Sequence, residues 1–144
     1  MSKKIYLASP FFNEGEIERM ERVLTILRNK GLDVFAPYEH QNKHLEFGSK
    51  EWRDATFRGD MQAIYDCDVI VAIVSQGNYS DSGTTFEIGT GYILEKDLVV
   101  VNLSDKEVNL MIADSLDAYI SSYEELEQYD FDKMPKKTYD KYVW

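Results

Sequence analysis

Three carboxylates stand where a folded chain ordinarily avoids them. Asp60 lies in a stretch from Lys50 to Asp66 whose Trp52, Phe57, Met61 and Ile64 recur at helical spacing, three residues after Phe57 and four before Ile64. Helical geometry places it on or beside that apolar stripe, where an ionised carboxylate is costly unless it is paired or put to use. Glu87 falls in the first turns of the next helix, just past the loop that leaves an apolar strand, and a helix N-terminus favours its anion. Its neighbours at i−4 and i+4 are Gly83 and Gly91, so its face of the helix is bare. Gly89 and Gly91 inside a helix each cost about 1 kcal/mol relative to alanine, which calls for the sheet or a ligand to approach the backbone closely. Asp81 precedes Ser82-Gly83. Carboxyl groups held out of water serve as nucleophiles and as proton donors and acceptors. Each also has a plainer reading that stays open: Asp60 solvated or paired with Arg53 or Arg58, Glu87 an ordinary first-turn glutamate, Asp81 a turn or cap residue.

The elements that must bring these groups together follow from apolar periodicity. Lys4 to Ala8 reads as a first strand. A helix follows, with Asn13 as N-cap, Glu16 three residues on, Ile17, Met20, Leu24 and Leu27 on one face and Gly31 at its C-terminal end. Asp33 to Ala36 is a short second strand stopped by Pro37, and residues 38–49 form a polar loop. After the Lys50–Asp66 helix, Asp68 to Val74 is a continuous apolar run, the signature of a strand covered on both faces. A loop over Gln76 to Gly83, a helix from Thr84 to Glu95, a strand from Leu98 to Leu103, a short helix over Asn109 to Ser115 and a strand from Ala118 to Ile120 complete the pattern. Alternating strands and helices predict a single doubly wound, flavodoxin-like α/β domain over residues 1–144, with a five-stranded, mainly parallel sheet and helices on both faces. Ligands of such sheets bind outside the carboxyl ends of the strands, where Ser9 to Phe12, Pro37 to Gln41 and Ser75 to Gly83 converge.

Composition narrows the function. Twenty-six acidic against sixteen basic residues give a charge of −10 over 144 residues, which argues against nucleic-acid and anionic-membrane partners. With 44% hydrophobic and 13% aromatic residues, the chain has ample surface to bury. No apolar stretch approaches the ~20 residues of a membrane span, and the N-terminal apolar run is too short for a signal peptide, so a cytoplasmic location is expected. There is no P-loop, no Gly-rich dinucleotide fingerprint after the first strand and no nucleophile elbow. His40 and His44 are four apart but beside Pro37 with no third ligand evident, and Cys67 reads as a small core residue. No metal and no cofactor is expected.

The segments ATFRGDMQAIYDCD at 55–68, DSGTTFEIGTGYIL at 81–94 and Val108-Asn109-Leu110-Met111, with a C-terminal YDFDKMPKKTYDKYVW, together resemble the nucleoside 2-deoxyribosyltransferases over essentially the whole chain. The resemblance implies that Glu87 is the nucleophile, that Asp60 handles the proton of the leaving or entering base, and that Tyr6 lies near the nucleophile. It implies further that Asp81, Gln41 and Phe12 bind substrate. Asn109 and the terminal carboxylate of Trp144 would come from a neighbouring subunit to hold the sugar 5′-hydroxyl. Residues 121–144 are then a C-terminal arm reaching that neighbour in a homo-oligomer, dimer-based and up to a hexamer. The partners implied are 2′-deoxynucleosides and free purine and pyrimidine bases. Ser9-Pro10-Phe11-Phe12 departs from the Gly-rich opening of several members, and Gly89-Thr90-Gly91 places one residue more before Tyr92 than the shorter form of the motif.

The reaction so implied is a retaining double displacement through a deoxyribosyl ester on Glu87, with hydrolysis as a side reaction. Two alternatives stand beside it. A hydrolase of nucleoside 5′-monophosphates would need phosphate donors, for which Ser9, Ser80 and Ser82 are available. A non-catalytic nucleoside-sensing module would bind without turnover.

Overall fold

Lys4–Ala8 (β1) carries the logic of the whole sheet in five residues: Ile5 and Leu7 enter one apolar layer, Tyr6 and Ala8 the other. The computed structural model describes residues 2–75 and 80–143. Along it follow α1 (Glu14–Asn29), β2 (Asp33–Phe35), α2 (Lys50–Asp66), β3 (Val69–Ile73), α3 (Ser82–Ile93), β4 (Asp97–Val101), α4 (Leu110–Ala113), β5 (Ala118–Ile120) and α5 (Tyr123–Gln128). The strands form one five-stranded sheet in the order β2-β1-β3-β4-β5. Every neighbouring pair is parallel, so the sheet is wholly rather than mainly parallel. This is the flavodoxin-like order, and it reverses at β1 and β3, opening a crevice beyond their carboxyl ends.

The two layers are apolar on both sides of the sheet. α1 and α5 cover one face through Met20, Val23, Leu27 and Leu126; α2, α3 and α4 cover the other through Ile64, Ile88 and Ile112. Val69–Ile73 is buried at every position, as its unbroken apolar sequence requires. The helix caps sit at the sequence signals: Asn13 Oδ1 accepts from Glu16 N at 2.9 Å, and Gly31 closes α1 with φ +81°.

Several boundaries shift for local reasons. α3 begins two residues earlier than Thr84, because Asp81 caps it, and ends at Ile93. There Glu95 takes a left-handed conformation (φ 60°) and Lys96 N bonds back to Gly91 O at 2.9 Å. β4 stops at Val101 because the Asn102 side chain turns into the following loop, donating to Lys106 O at 3.0 Å and accepting from Ser104 Oγ at 2.7 Å. α4 spans four residues, with Asn109 as its N-cap rather than within it. Part of the Gln76–Gly83 loop, residues 76–79, lies outside the described residues.

The segment read as an arm from residue 121 packs on its own domain through residue 143, where Val143 bridges Val108 and Tyr139 packs against Tyr119. Ser122 caps α5, Leu126, Tyr129 and Phe131 are buried against α1, and the Lys137 backbone joins β5 through Tyr119 N at 2.8 Å. The Ser-x-x-Glu cap signal and the apolar spacing of these residues are present in the sequence.

Gly91 and Gly89 separate the two uses of glycine in α3. A Cβ on Gly91 would lie 2.1 Å from Ile70 Cδ1 on β3, whereas one on Gly89 meets nothing within 4 Å. Gly91→Ala is therefore expected to cost about 2 kcal/mol through overpacking, and Gly89→Ala to be neutral or to stabilise by about 1 kcal/mol. Urea unfolding midpoints of the two variants check the contrast, and equal midpoints would refute it.

Candidate active site

Tyr6 leaves β1 on the α2–α3 side of the sheet, with no exposed surface, and its hydroxyl donates to Glu87 Oε2. Glu87 sits early in α3, whose first turn is fixed by Asp81: Oδ2 accepts from Thr84 N at 2.9 Å and Thr84 Oγ1 at 3.1 Å. Asp60 reaches the same space from the middle of α2. All three carboxylates line one cavity of about 580 Å³, together with Ser9, Phe11, Phe12, His40, Gln41, Phe47 and Trp52. Its size is that of a small-molecule site, and it lies at the crevice predicted by the strand order.

Burial governs the titration of this cluster. It pushes the Glu87 carboxyl up to about 7; the charges of Asp60 and Asp81 push the same way, and the Tyr6 hydrogen bond pulls against them. Burial alone pushes Asp60 up to about 6. The Tyr6 phenol is driven far above its ordinary range, first by burial and then by the charges of Glu87 and Asp60, so it remains a donor. The cluster thus holds a carboxylate, a carboxylic acid and a fixed hydroxyl around one cavity, a set able to attack a carbon centre and protonate a leaving group.

The sequence-derived residues fall into three groups. Tyr6, Asp60, Asp81 and Glu87 are brought together, and Asp60 makes no ion pair with Arg53 or Arg58 among the described residues. Phe12 and Gln41 line the same cavity: the Phe12 amide is held by Glu16 Oε1 at 2.8 Å, while Gln41 directs its side-chain amide to Tyr38 O at 2.6 Å. Asn109 lies elsewhere in this chain. It caps α4 by accepting from Met111 N at 2.8 Å and lines a separate cleft of about 630 Å³ beside Tyr92 and Met111. Trp144 lies outside the described residues.

The glycines around Glu87 resolve differently from one another. Gly91 is required by the sheet, and Gly83 borders the cavity, where a Cβ would come within 3.2 Å of Asp81 Oδ2. Cys67 is buried, with its thiol pushed up to about 11 by burial and its Sγ donating to Ile64 O, as a core residue should be. His40 stacks on Phe35. Sequence reasoning passed over Phe47 and Trp52 as cavity walls; they pack together at 4.5 Å, and Trp52 Nε1 donates to Gln41 O at 3.0 Å. Aromatic residues in and beside an otherwise polar loop were the available signal.

The family model described as nucleoside 2-deoxyribosyltransferase matches residues 5–122. A nucleoside deoxyribosyltransferase of Limosilactobacillus fermentum is 32% identical over 145 residues, covering 89% of this chain and 86% of the relative. A solved structure of the 2-deoxyribosyltransferase from Bacillus psychrosaccharolyticus superposes with a TM-score of 0.91 at 43% identity, over 94% of this chain and 98% of that one. The fold is also similar to that of a CMP N-glycosidase of Clostridium botulinum, with a TM-score of 0.60 at 22% identity over 87% and 94% of the two chains.

A carboxyl whose pKa is raised on folding carries a stability cost at neutral pH. The folded state keeps the Glu87 proton up to about 7, against an ordinary value of 4.5. Between those values the unfolded state binds fewer protons, so stability falls as pH rises through the window. Glu87→Gln, which removes the ionisation, is expected to be more stable than the parent by about 3 kcal/mol at pH 8. The gain should vanish by about pH 4.5. Denaturant unfolding at the two pH values measures it, and a gain equal at both would disprove the burial argument.

Proposed function

The chain belongs to the nucleoside 2-deoxyribosyltransferase family, and from that premise we propose that it exchanges the nucleobase of 2′-deoxynucleosides by a double displacement on Glu87. The observation that carries the reading is the pair of half-buried carboxyls, Glu87 and Asp60, on one cavity, with the buried Tyr6 hydroxyl donating to Glu87 from behind. The Glu87 carboxylate attacks C1′ and the C1′–N bond breaks, the departing base taking its proton from Asp60. The positive charge that develops at C1′ is stabilised by the adjacent carboxylate. The incoming base gives its proton to Asp60, attacks C1′ from the vacated side and expels Glu87, so configuration is retained. Water in place of the base gives hydrolysis. Tyr6 keeps Glu87 oriented and favours its anion. Phe12 and Gln41 flank the base, and Asp81 borders the sugar side while holding the start of α3.

The same reading makes the protein a homo-oligomer with shared sites. Ile93, Tyr92, Phe86 and Met111 form an exposed apolar face on α3 and α4, with Ile93 78% and Met111 73% accessible, the mark of an interface. Asn109 stands on that face, apart from its own chain's Glu87, where a second copy's cavity would receive it. Base salvage within the cytoplasm suits such an enzyme; no helix among the described residues is long and apolar enough to cross a membrane. Cleavage of nucleoside 5′-monophosphates has weaker support. Of Ser9, Ser80 and Ser82, only Ser9 lines the cavity that holds Glu87.

Three measurements test this. Glu87→Ala should lose base exchange by at least about 10³-fold, and a 2-fluoro-2-deoxynucleoside should leave an adduct on the parent that mass spectrometry locates at Glu87; an active Glu87→Ala enzyme would end the proposal. The kcat/KM profile should be bell-shaped, with limbs near about 6 and about 7 that belong to the Asp60–Glu87 pair. Below the bell both are protonated and no nucleophile remains; above it both are ionised and the base has no acid. Tyr6→Phe should shift the profile to higher pH, because the hydrogen bond that favours the Glu87 anion is gone. Finally, Glu87→Ala and Asn109→Ala, each inactive alone, should regain part of the activity when mixed. Mixtures as inactive as their components would argue for unshared sites.

A further inference from the structure

Three flat rings form a column that starts at the nucleophile. Tyr6 stacks on Phe35 with centroids 5.7 Å apart and planes 13° apart, and Phe35 stacks on His40 at 4.2 Å and 6°. The first contact is set by register, since Tyr6 and Phe35 face each other in the parallel β1–β2 pair. The second is set by the 3₁₀ turn Pro37–Glu39, which folds the chain back after β2. That turn is pinned to α1: the Arg28 guanidinium donates to both Glu39 oxygens, at 2.6 and 2.9 Å, and to Val34 O at 3.2 Å. His40 is therefore placed from both sides, by an ion pair on the residue before it and by an aromatic plane beneath its ring.

The ring so placed lines the cavity that holds Glu87 and Asp60, and it is exposed there. Neither of its ring nitrogens has a hydrogen-bond partner among the described residues. A neutral imidazole offers one donor and one acceptor, and its free face offers a stacking plane. A nucleobase is a flat ring with donors and acceptors on its rim. The neighbouring Gln41, by contrast, spends its side-chain amide on Tyr38 O.

We propose that His40 contacts the nucleobase and sets base preference, and that Phe35 is the positioning residue that holds it in place. The inference rests on the base-exchange reading. The column also makes Phe35 serve two groups at once, His40 on one face and the Glu87-bound Tyr6 on the other.

The test measures kcat and KM with one deoxynucleoside donor and a panel of purine and pyrimidine acceptors, for the parent, His40→Ala, Phe35→Leu and Phe35→Tyr. His40→Ala is expected to raise acceptor KM about fivefold, the scale of one lost hydrogen bond, and unequally between bases, so that the ratios of kcat/KM change. Phe35→Leu should reproduce the altered ratios and also lower kcat, because Tyr6 loses its support. Phe35→Tyr, which keeps the ring, should restore both. Parent-like base ratios in His40→Ala, or a uniform loss across all bases, would overturn this inference while leaving base exchange standing. A parent that exchanges no base would remove both.

Discussion

A carboxylate drawn out of water must be compensated by its surroundings, and in this protein one hydroxyl does most of that work for Glu87. The Tyr6 hydroxyl reaches it from the middle of the sheet, through a side chain without exposed surface. Because the phenol is itself buried beside negative charge, it keeps its proton and stays available as a donor. Whenever Glu87 is ionised, the bond therefore runs from the hydroxyl to the carboxylate. It opposes the burial that lifts the Glu87 pKa, and it fixes one carboxylate oxygen of a side chain that lines the cavity.

The rest of the fold serves that contact. β1 must be an interior strand, or Tyr6 would not be flanked on both sides; the order β2-β1-β3-β4-β5 puts it between β2 and β3. α3 must lie close to the sheet for Glu87 to meet Tyr6, and Gly91 against Ile70 permits it. Asp81 then sets where α3 begins, and with it the height of Glu87 above the strand ends. α2 supplies Asp60 from the opposite wall at a distance from compensating cations, which is why burial alone governs its titration.

Much of this was legible beforehand, and the reasons differ from residue to residue. The strands could be read because parallel strands are apolar throughout, as in Val69–Ile73. Asp60 stood out as a polar group beside an apolar stripe and Glu87 as one flanked by glycines, Asp81 preceded the loop's Ser-Gly, and their convergence followed from topology. What escaped was set by tertiary packing. The Phe47–Trp52 wall and the Tyr6–Phe35–His40 column depend on contacts across a loop that has no periodicity. α5 was hidden by the aromatic density of the C-terminal segment, which read as a surface for a neighbour although Leu126, Tyr129 and Phe131 face α1. Gly89 and Gly91 look alike in sequence, and only the position of Ile70 distinguishes them.

β2 is three residues long, lies at the edge of the sheet and ends on Phe35. Edge strands of this kind open at lower free energy than the core they border. One wall of the cavity is thus hung on an edge strand, while Tyr6 is carried by an interior strand and Glu87 by the helix packed over it. The shape of the cavity wall and the integrity of the fold thus rest on different parts of the molecule, the first on three residues of edge backbone and the second on the whole sheet.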